Sequence, residues 1–500
     1  MLILTAEQHR AVDTATVEQD NISSLELMER AATAWTKRFI HLYSDQDREI
    51  VVLCGPGNNG GDGLVIARLL RYEGFTVSIM VAEIAPPSAD NAANRKRARD
   101  SGVHLRLLQE GDAMPSFRRH SLVVDALFGT GLSRPIVGYW ADLIDHLNAQ
   151  PVTRIAVDLP SGLRTDEASD GAIVRADRTL SLGYPKRCLF APSNTPYLGE
   201  WELVPFRLLG GAVLDPESHR DVMLTRKLVH PIVKTRHAND HKGTFGHALL
   251  VAGSYGKMGA AIICARAVLR AGAGLVTVHI PRVGYEIMQI GLPEAMCQVD
   301  EHRYHFTQAT GLAGYEVVAV GPGLGKTEAT RQGVLKLVEE AVGPLVVDAD
   351  ALNILSESPG YLARLPAGSI LTPHPKEFER LFGKTEDDFA RWELQRKRAG
   401  ELKLVILLKT GFTTIATPDG KLYYNTTGNP GMGTGGTGDA LTGVLTGLLA
   451  QGYSPEDAAR LGVYLHGLAG DIAARELQQE SLLAEDVVSH LGRAFGKIKR

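Results

Sequence analysis

The chain has 500 residues, 44% of them hydrophobic and 22% charged, and a formal net charge of -4. This length and composition allow two or three domains with cores of their own and exclude a largely disordered chain. No long basic run is present, which argues against nucleic acid or a membrane as partner. The cysteines are too far apart for a zinc-type spacing or a disulfide framework, which favours a reducing, cytoplasmic location. They are Cys54, Cys188, Cys264 and Cys297.

Short β-branched runs alternate with helical patterns along most of the chain. After a helical opening that contains LELMERAATAW, the first half has predicted strands at Ile50–Leu53, Val77–Val81, Leu122–Val124 and Ile155–Val157. The second half has predicted strands at Ala248–Val251, Leu275–Ile280, Val317–Val320, Leu345–Val347, Ser369–Leu371 and Leu404–Leu408. Such continuous apolar runs are typical of parallel strands covered by helices on both faces. We therefore expect an α/β fold with ligands at the carboxyl ends of its strands.

The strand–helix rhythm is lost between Phe206 and Asp240, where the sequence becomes polar and rich in histidine. We place the domain junction near residues 210–225, which predicts two domains, 1–215 and 225–500, each large enough for its own core. The most apolar long stretch, GAAIICARAVLRAGAGLV, is interrupted by Arg266 and Arg270. It is predicted to form a buried helix and not a membrane span.

The first candidate site begins where the strand EIVVLC runs into the glycine loop GPGNNGGDG, before the helix LVIARLLRYEG. Backbone N–H groups of such a loop can face an anion at the helix N-terminus, although a plain tight turn is the alternative. Asp125, in LVVDALFGTG, and Asp158 and Ser161, in RIAVDLPSG, also lie at predicted strand ends. Each aspartate could be a cap or a buried acceptor. Together, one carboxylate and neutral oxygens would suit a monovalent cation.

CGPGNNGGDG, VDALFGTGLSR and VDLPSGL, in this order, resemble the NAD(P)H-hydrate epimerase family over roughly residues 1–215. The resemblance implies a Rossmann-like three-layer αβα sandwich, with potassium at Asn59, Asp125 and Ser161. Epimerising the hydrate requires loss and return of water, or ring opening, and Asp62 and Asp158 are both candidates for the catalytic acid or base. The implied contacts with the hydrated dinucleotide are Asn58, Asn59, Gly60, Gly61, Asp62, Gly129, Thr130, Gly131, Leu132, Ser133, Arg134, Pro135 and Asp158.

The second candidate site contains the densest glycine segment, NPGMGTGGTGDAL, directly before a predicted helix. Its N–H groups can form a nest for a phosphoryl group, and Asp439 can take a proton from a substrate hydroxyl. The alternative for Asp439 is a helix cap. KTGFT, residues 409–413, suits nucleotide binding, with a structural β-hairpin as the alternative. GPGLGKT is one residue too short between Gly321 and Gly325 for a P-loop, so we reject that motif.

HKGTFGHALLVAGSYGKMGAA, VGPGLG, DADALN, LTPHPKEF, LKTGFTT and GTGGTGDAL, in this order, resemble the NAD(P)H-hydrate dehydratase family over roughly residues 225–500. The resemblance implies a ribokinase-like α/β domain and Asp439 as the catalytic base. It implies that ADP or ATP binds with Mg²⁺ and that Glu377 lies near the magnesium ion. The implied hydrate contacts are Ala260, Gly323, His374 and Asp439. The implied nucleotide contacts are Lys409, Thr410, Gly411, Phe412, Thr413 and Gly438.

Together the resemblances imply a cytoplasmic, homo-oligomeric enzyme that repairs hydrated NADH and NADPH, known as NADHX and NADPHX. It would interconvert the R and S hydrates and dehydrate the S form with ADP or ATP, releasing phosphate and AMP or ADP. One alternative is a vitamin or sugar kinase, which would leave a stable phosphorylated product. Another is a nucleotide sensor or scaffold, which would need no base at Asp439. The preference for ADP or ATP and any coupling between the two sites stay open.

Overall fold

The computed structural model describes residues 1–210 and 220–499. The chain divides into two compact units, Met1–His219 with Asp387–Phe389, and Arg220–Glu386 with Ala390–Arg500. The predicted junction near residues 210–225 falls mostly on residues 211–219, which lie outside the described residues. The domain boundaries of 1–215 and 225–500 therefore stay predictions.

The first unit contains a sheet of seven strands, all paired in parallel. In chain order they are β1 (Ile50–Cys54), β2 (Val77–Ala82), β3 (His104–Leu108), β4 (Leu122–Ala126), β5 (Thr153–Val157), β6 (Arg178–Leu182) and β7 (Glu200–Val204). Their order across the sheet is β3-β2-β1-β4-β5-β6-β7, so the strand order reverses between β1 and β4. Open α/β sheets bind ligands outside the carboxyl ends of the strands at such a reversal.

Helices cover both faces of this sheet, which makes the first unit the predicted three-layer sandwich. Phe39 and Leu64 share a core with Val52, whereas Leu143 shares a core with Val51, because successive strand residues face opposite sides. The helices are α1 (Ala6–Asp20), α2 (Ser24–Leu42), α3 (Asn58–Tyr72), α4 (Ala89–Asp100), α5 (Tyr139–Ala149) and α6 (Thr195–Leu198).

The second unit contains a sheet of ten strands in the order β11-β10-β9-β12-β13-β14-β15-β16-β17-β8. The strands are β8 (Asp221–Met223), β9 (His247–Val251), β10 (Leu275–Ile280), β11 (Met296–Val299), β12 (Val317–Val320), β13 (Leu345–Val347), β14 (Ile370–Leu371), β15 (Val405–Leu408), β16 (Thr414–Ala416) and β17 (Leu422–Tyr424). The strands that the sequence predicts in this unit pair in parallel as expected, and the sheet is extended by β16 and β17, which pair in antiparallel fashion with β15 and with each other. Their short turns, unlike helical crossovers, permit that direction.

The glycine-rich end of the second unit is positioned by tight packing between two of its helices, α8 (Met258–Arg270) and α14 (Thr437–Ala450). A Cβ atom on Gly443 would lie 2.2 Å from the Cys264 carbonyl oxygen, and one on Gly447 would lie 2.4 Å from the Val268 carbonyl oxygen. These glycines therefore let the two helix backbones touch. The other helices are α7 (Arg226–Val229), α9 (Tyr285–Gly291), α10 (Glu328–Glu340), α11 (Ala349–Ser356), α12 (Pro375–Phe382), α13 (Asp388–Leu402), α15 (Pro455–Leu477) and α16 (Ala484–Lys499).

The apolar stretch that the sequence assigns to a buried helix forms α8. Its residues Ala261, Cys264, Ala265 and Val268 are fully buried in the core of the second unit. Across residues 1–210 and 220–499, no helix combines the length and apolar character that crossing a membrane requires.

Candidate active sites

The glycine loop of the first unit connects β1 to α3 as predicted. Gly57 is the N-cap of α3, so Asn58–Asp62 form the first turn of the helix and direct its free N–H groups outward. A Cβ atom on Gly55 would lie 1.8 Å from the Leu127 carbonyl oxygen, and one on Gly60 would lie 1.9 Å from the Gly55 carbonyl oxygen. Part of the glycine content is thus explained by backbone packing between the loops that follow β1 and β4.

The three residues predicted to hold potassium, Asp125 of β4, Ser161 after β5 and Asn59 at the start of α3, are joined by one hydrogen-bond network. The buried Asp125 carboxylate accepts hydrogen bonds from the Ser161 hydroxyl, at 2.6 Å, and from the Ser161 backbone N–H, at 2.8 Å. The Asn59 amide donates to the Phe128 carbonyl oxygen, at 2.9 Å, and that oxygen also lies 3.3 Å from Ser161 Oγ. Burial raises the pKa of Asp125 to about 6, although the bonds from Ser161 oppose it. This single carboxylate among neutral oxygens suits a monovalent cation.

Asp158, which directly follows β5, has an unusual backbone conformation and an unexpected hydrogen-bond partner. Its φ is +68°, a left-handed conformation that non-glycine residues adopt only when their surroundings enforce it. Its carboxylate bonds to the ammonium group of Lys186, which is 1% exposed. Burial alone would raise the pKa of Asp158, but the charge and hydrogen bond of Lys186 outweigh burial and hold that pKa below its usual value.

Asp62, the other predicted carboxylate of this site, has a pKa shifted in the opposite direction. Burial, followed by the negative charges of Asp158 and Asp13, raises the pKa of Asp62 well above its usual value. The surroundings therefore favour the protonated form of Asp62 and the ionised form of Asp158. The predicted contact segment Gly129–Pro135 is an irregular loop after β4, exposed over most of its length, and Gly129 packs on Asn59.

In the second unit, the glycine segment leads into α14, whose N-cap is Gly436 and whose third residue is Asp439. The capping alternative for Asp439 is therefore wrong. Its carboxyl group makes no hydrogen bond with any described residue, and burial, followed by the charge of Asp348, raises its pKa to about 7. Asp439 is thus a half-buried carboxyl group that can take up or release a proton near neutral pH.

A cavity of about 510 Å³ opens in front of Asp439. It brings together the predicted residues Ala260, Gly323, Glu377 and Asp439. Gly323 has a φ of +65°, and a Cβ atom there would lie 3.1 Å from the Ala260 Cβ, so the wall is closely packed. Sequence reasoning missed the other polar side chains of the lining, which are Lys257, Asp350 and Asn353.

Lys409 and the four residues after it form the turn between β15 and β16, so the hairpin alternative describes their backbone correctly. The Lys409 side chain carries a charge close to α14, which a purely structural hairpin would not require. Its ammonium group lies 2.8 Å from the Asp348 carboxylate and 3.5 Å from the position that a Cβ on Gly438 would take. Asp348 also accepts a 2.7 Å hydrogen bond from Thr442 of α14. This buried aspartate therefore holds the lysine beside the N-terminus of α14.

His374 and Glu377 form the cap of α12. The His374 Nδ1 accepts hydrogen bonds from the backbone N–H groups of Lys376 and Glu377, and the Glu377 carboxylate accepts a 2.9 Å bond from the His374 N–H. His374 thus caps α12 through Nδ1, and of the two residues Glu377 is the one that lines the cavity. One Glu377 oxygen is used by the cap, which leaves at most one oxygen to face a cation.

Comparison with known proteins identifies both halves of the chain. A family model described as YjeF-related protein N-terminus matches residues 24–188, and one described as NAD(P)H-hydrate dehydratase matches residues 248–493. A bifunctional NAD(P)H-hydrate repair enzyme of Moorella thermoacetica is 37% identical over 98% of this chain and 96% of that protein. The chain belongs to the family of bifunctional NAD(P)H-hydrate repair enzymes.

The Escherichia coli member of the family is 34% identical over 94% of this chain and 89% of that protein. An ADP/ATP-dependent NAD(P)H-hydrate dehydratase of Bacillus subtilis, crystallised with ATP and Mg²⁺, is 33% identical. It covers 55% of this chain and 97% of its own, with a TM-score of 0.48. The predicted bifunctional epimerase and dehydratase is confirmed at the level of the repair-enzyme family.

Each site of this repair enzyme contains a buried partner that sequence reasoning missed. Lys186 contacts Asp158 across 28 residues of chain, and Asp348 contacts Lys409 across 61 residues. Lys186 stands directly before Arg187 in LGYPKRCLFAP, so no local pattern distinguishes this buried lysine from a solvated one. Asp348 directly follows the strand PLVV, which is the position of the other site aspartates.

Proposed function

We propose that Asp62 and Asp158 are the acid and base of NAD(P)H-hydrate epimerisation in the first unit. The observation that carries this proposal is that two carboxyl groups, near enough for the charge of Asp158 to raise the pKa of Asp62, have their pKa values pushed in opposite directions. Pairs of this kind serve as acid and base in enzymes. The segments 58–62 and 129–135, together with Asp158, are proposed to hold the hydrated dinucleotide.

The chemistry needs one proton donor and one proton acceptor. The hydroxyl of the hydrate sits on a ring carbon bonded to the ring nitrogen. When the carbon–oxygen bond breaks, the nitrogen lone pair forms a carbon–nitrogen double bond, and the departing oxygen takes a proton and leaves as water. Return of water to the opposite face of the ring releases a proton and gives the other epimer.

We propose that potassium binds at Asn59, Asp125 and Ser161. The support is the buried Asp125 carboxylate, because a buried negative charge is costly without a counter-charge. No donor among the described residues occupies the Asn59 Oδ1. A bound potassium ion would supply positive charge that neutralises Asp125 and fixes the loops after β1, β4 and β5 around the substrate.

For the second unit we propose that Asp439 is the base of the dehydratase reaction. It takes the proton of the hydrate hydroxyl while that oxygen attacks the terminal phosphoryl group of ADP or ATP. Phosphate then leaves as the ring nitrogen donates its lone pair, and loss of a proton from the adjacent ring carbon restores the reduced nicotinamide. The proposed hydrate contacts are Ala260, Gly323, His374 and Asp439.

The nucleotide is proposed to bind at residues 409–413 and Gly438, with its terminal phosphate at the N-terminus of α14. The support is the Lys409 ammonium group beside that helix end, where free N–H groups also favour an anion. With Glu377 engaged in the α12 cap, Mg²⁺ would be held mainly by phosphate oxygens and water, with Glu377 nearby. The cytoplasmic location and the homo-oligomer are proposals that rest on the family resemblance.

The experiment separates the two epimers of NADPHX and follows each with wild type, Asp62→Asn and Asp439→Asn proteins. Wild type converts both epimers to NADPH with ADP or ATP. The Asp62→Asn protein is expected to dehydrate the S epimer normally and to lose catalysed conversion of the R epimer. The Asp439→Asn protein is expected to interconvert the epimers without forming NADPH. Normal R-epimer repair by Asp62→Asn would refute its role.

A further inference from the structure

Lys186 is a buried cation whose hydrogen-bonding capacity is fully used. Its ammonium group donates to the Asp158 carboxylate, to the Leu182 carbonyl oxygen at 2.7 Å and to the Ser181 hydroxyl at 3.2 Å. Burying an ammonium group this completely is costly, and hydrophobic residues of similar volume would serve the core at least as well. Fold stability alone therefore does not explain why a lysine stands here.

The bonds around Asp158 involve one of its two carboxylate oxygens. Oδ1 accepts from Lys186, from the Leu182 N–H at 2.9 Å and from the Ser181 hydroxyl at 3.3 Å. Across residues 1–210 and 220–499, no donor bonds to Oδ2. Lys186 and its neighbours thus clamp one oxygen and leave the other available to a ligand.

The other ionisable groups that face Asp158 and Lys186 are His9, Asp13, Asp62 and Cys188. Burial, followed by the charge of Lys186, lowers the pKa of His9 to about 3, so this histidine is neutral. Burial also keeps the Cys188 thiol protonated. Among these described groups, Lys186 is therefore the cation that faces the carboxyl groups.

We propose that Lys186 is a positioning residue of epimerisation, which holds Asp158 as a carboxylate with Oδ2 toward the substrate, so that Asp158 is the base and Asp62 the acid. This inference rests on the proposed function of the first site. Asp62 gives its proton to the departing hydroxyl oxygen, which leaves as water while the ring nitrogen forms its double bond to carbon. Water attacks the opposite face of that carbon and gives a proton to Asp158. The proton then returns to Asp62 by exchange with solvent.

The test compares Lys186→Met and Lys186→Arg over pH 5.5 to 9, with Lys37→Met, an exposed lysine of α2, as the matched control. Without the cation, Asp158 binds a proton more readily. Lys186→Met is therefore expected to lose at least about 100-fold in epimerisation at pH 6 and to recover part of it at pH 9. Lys186→Arg keeps the charge, so its pH profile should stay close to that of wild type. Dehydration of pure S epimer by the same samples and thermal unfolding report on folding.

A Lys186→Met protein with the wild-type epimerisation profile would overturn the inference. So would an equal loss at every pH that Lys186→Arg does not relieve, because that pattern marks a structural role. If Lys186→Met does not fold, Lys186→Gln, which keeps a donor but no charge, is expected to show the same pH-dependent loss. Asp158→Asn distinguishes an error in the proposed site from an error in the role of Lys186. If Asp158→Asn epimerises normally, the proposed site is wrong, whereas a dead Asp158→Asn with a normal Lys186→Met refutes only the role of Lys186.

Discussion

The role of Asp439 as the catalytic base can be tested by the pH dependence of dehydration and by the change in that dependence when charged neighbours of Asp439 are replaced. Asp439 has a pKa of about 7 and acts as a base only when it is ionised. The rate of dehydration should therefore rise with pH through neutrality. About a tenth of the Asp439 carboxyl groups are ionised at pH 6, about half at pH 7 and about nine-tenths at pH 8. The rate at saturating substrate should follow these fractions.

Two substitutions should move this profile in opposite directions. Asp348 raises the pKa of Asp439 and Lys409 lowers it. Asp348→Asn should therefore shift the rise in rate to lower pH, and Lys409→Met should shift it to higher pH, each by about one unit. Lys409→Met should also weaken nucleotide binding, so both are measured at saturating nucleotide with pure S epimer.

The assay follows formation of the reduced nicotinamide in single-turnover mixtures, so that product release does not mask the chemical step. Lys326→Met, an exposed lysine outside the cavity, is the charge-matched control for Lys409→Met. A wild-type rate that does not change between pH 5.5 and 8, or equal shifts of the same sign in both variants, would refute the reasoning.

Three further outcomes are expected. Gly60→Ala should destabilise the first unit by about 1–3 kcal/mol and lower the rate of epimerisation, because the new Cβ would meet the Gly55 carbonyl oxygen. The control, Gly210→Ala, has open space around its Cβ and should unfold like wild type in thermal melts. Ser161→Ala should raise the half-activating potassium concentration for epimerisation at least about tenfold and leave dehydration unchanged, since it removes a proposed ligand that also orients Asp125; an unchanged potassium response would contradict this. Asp439→Asn should stabilise the second unit at pH 8 by about 1–2 kcal/mol after allowance for solvent screening, because the pKa of Asp439 is higher in the folded state than in the unfolded state. This gain in stability should shrink as the pH falls from 7 and should vanish near pH 4. A gain that persists at pH 4 would contradict the prediction.

The ten strands predicted from the sequence all overlap strands of the structure, because each is a buried run with apolar residues on both faces. Two of the missed strands lack that signal. β6 (Arg178–Leu182) alternates polar and apolar residues, and β3 (His104–Leu108) lies at a sheet edge where most of its side chains are exposed. β8 (Asp221–Met223) pairs with β17 across about 200 residues of chain, inside the stretch that the sequence assigns to an irregular junction. No local pattern encodes such a pairing.

The site residues likewise divide into those that a local sequence pattern reveals and those that it does not. Asp125, Asp158 and Asp439 are visible in sequence because each follows a strand or opens a helix next to glycines. Lys186 and Asp348 act through partners distant in sequence, so their importance depends on which loops the sheet order brings together. The ionisation of Asp62 and Asp158 also depends on this juxtaposition, which is why sequence alone left the acid and base unassigned.

The most direct test of the account follows the reduced-nicotinamide absorbance when an equilibrated mixture of NADPHX epimers is given ADP or ATP with Mg²⁺ and K⁺. Wild type should restore all of the NADPH, and Asp439→Asn should restore none. Asp62→Asn should restore the S fraction rapidly and the remainder only at the uncatalysed rate of epimerisation. A wild-type reaction that consumes nucleotide and leaves a stable phosphorylated product, without NADPH, would contradict the account and favour a small-molecule kinase.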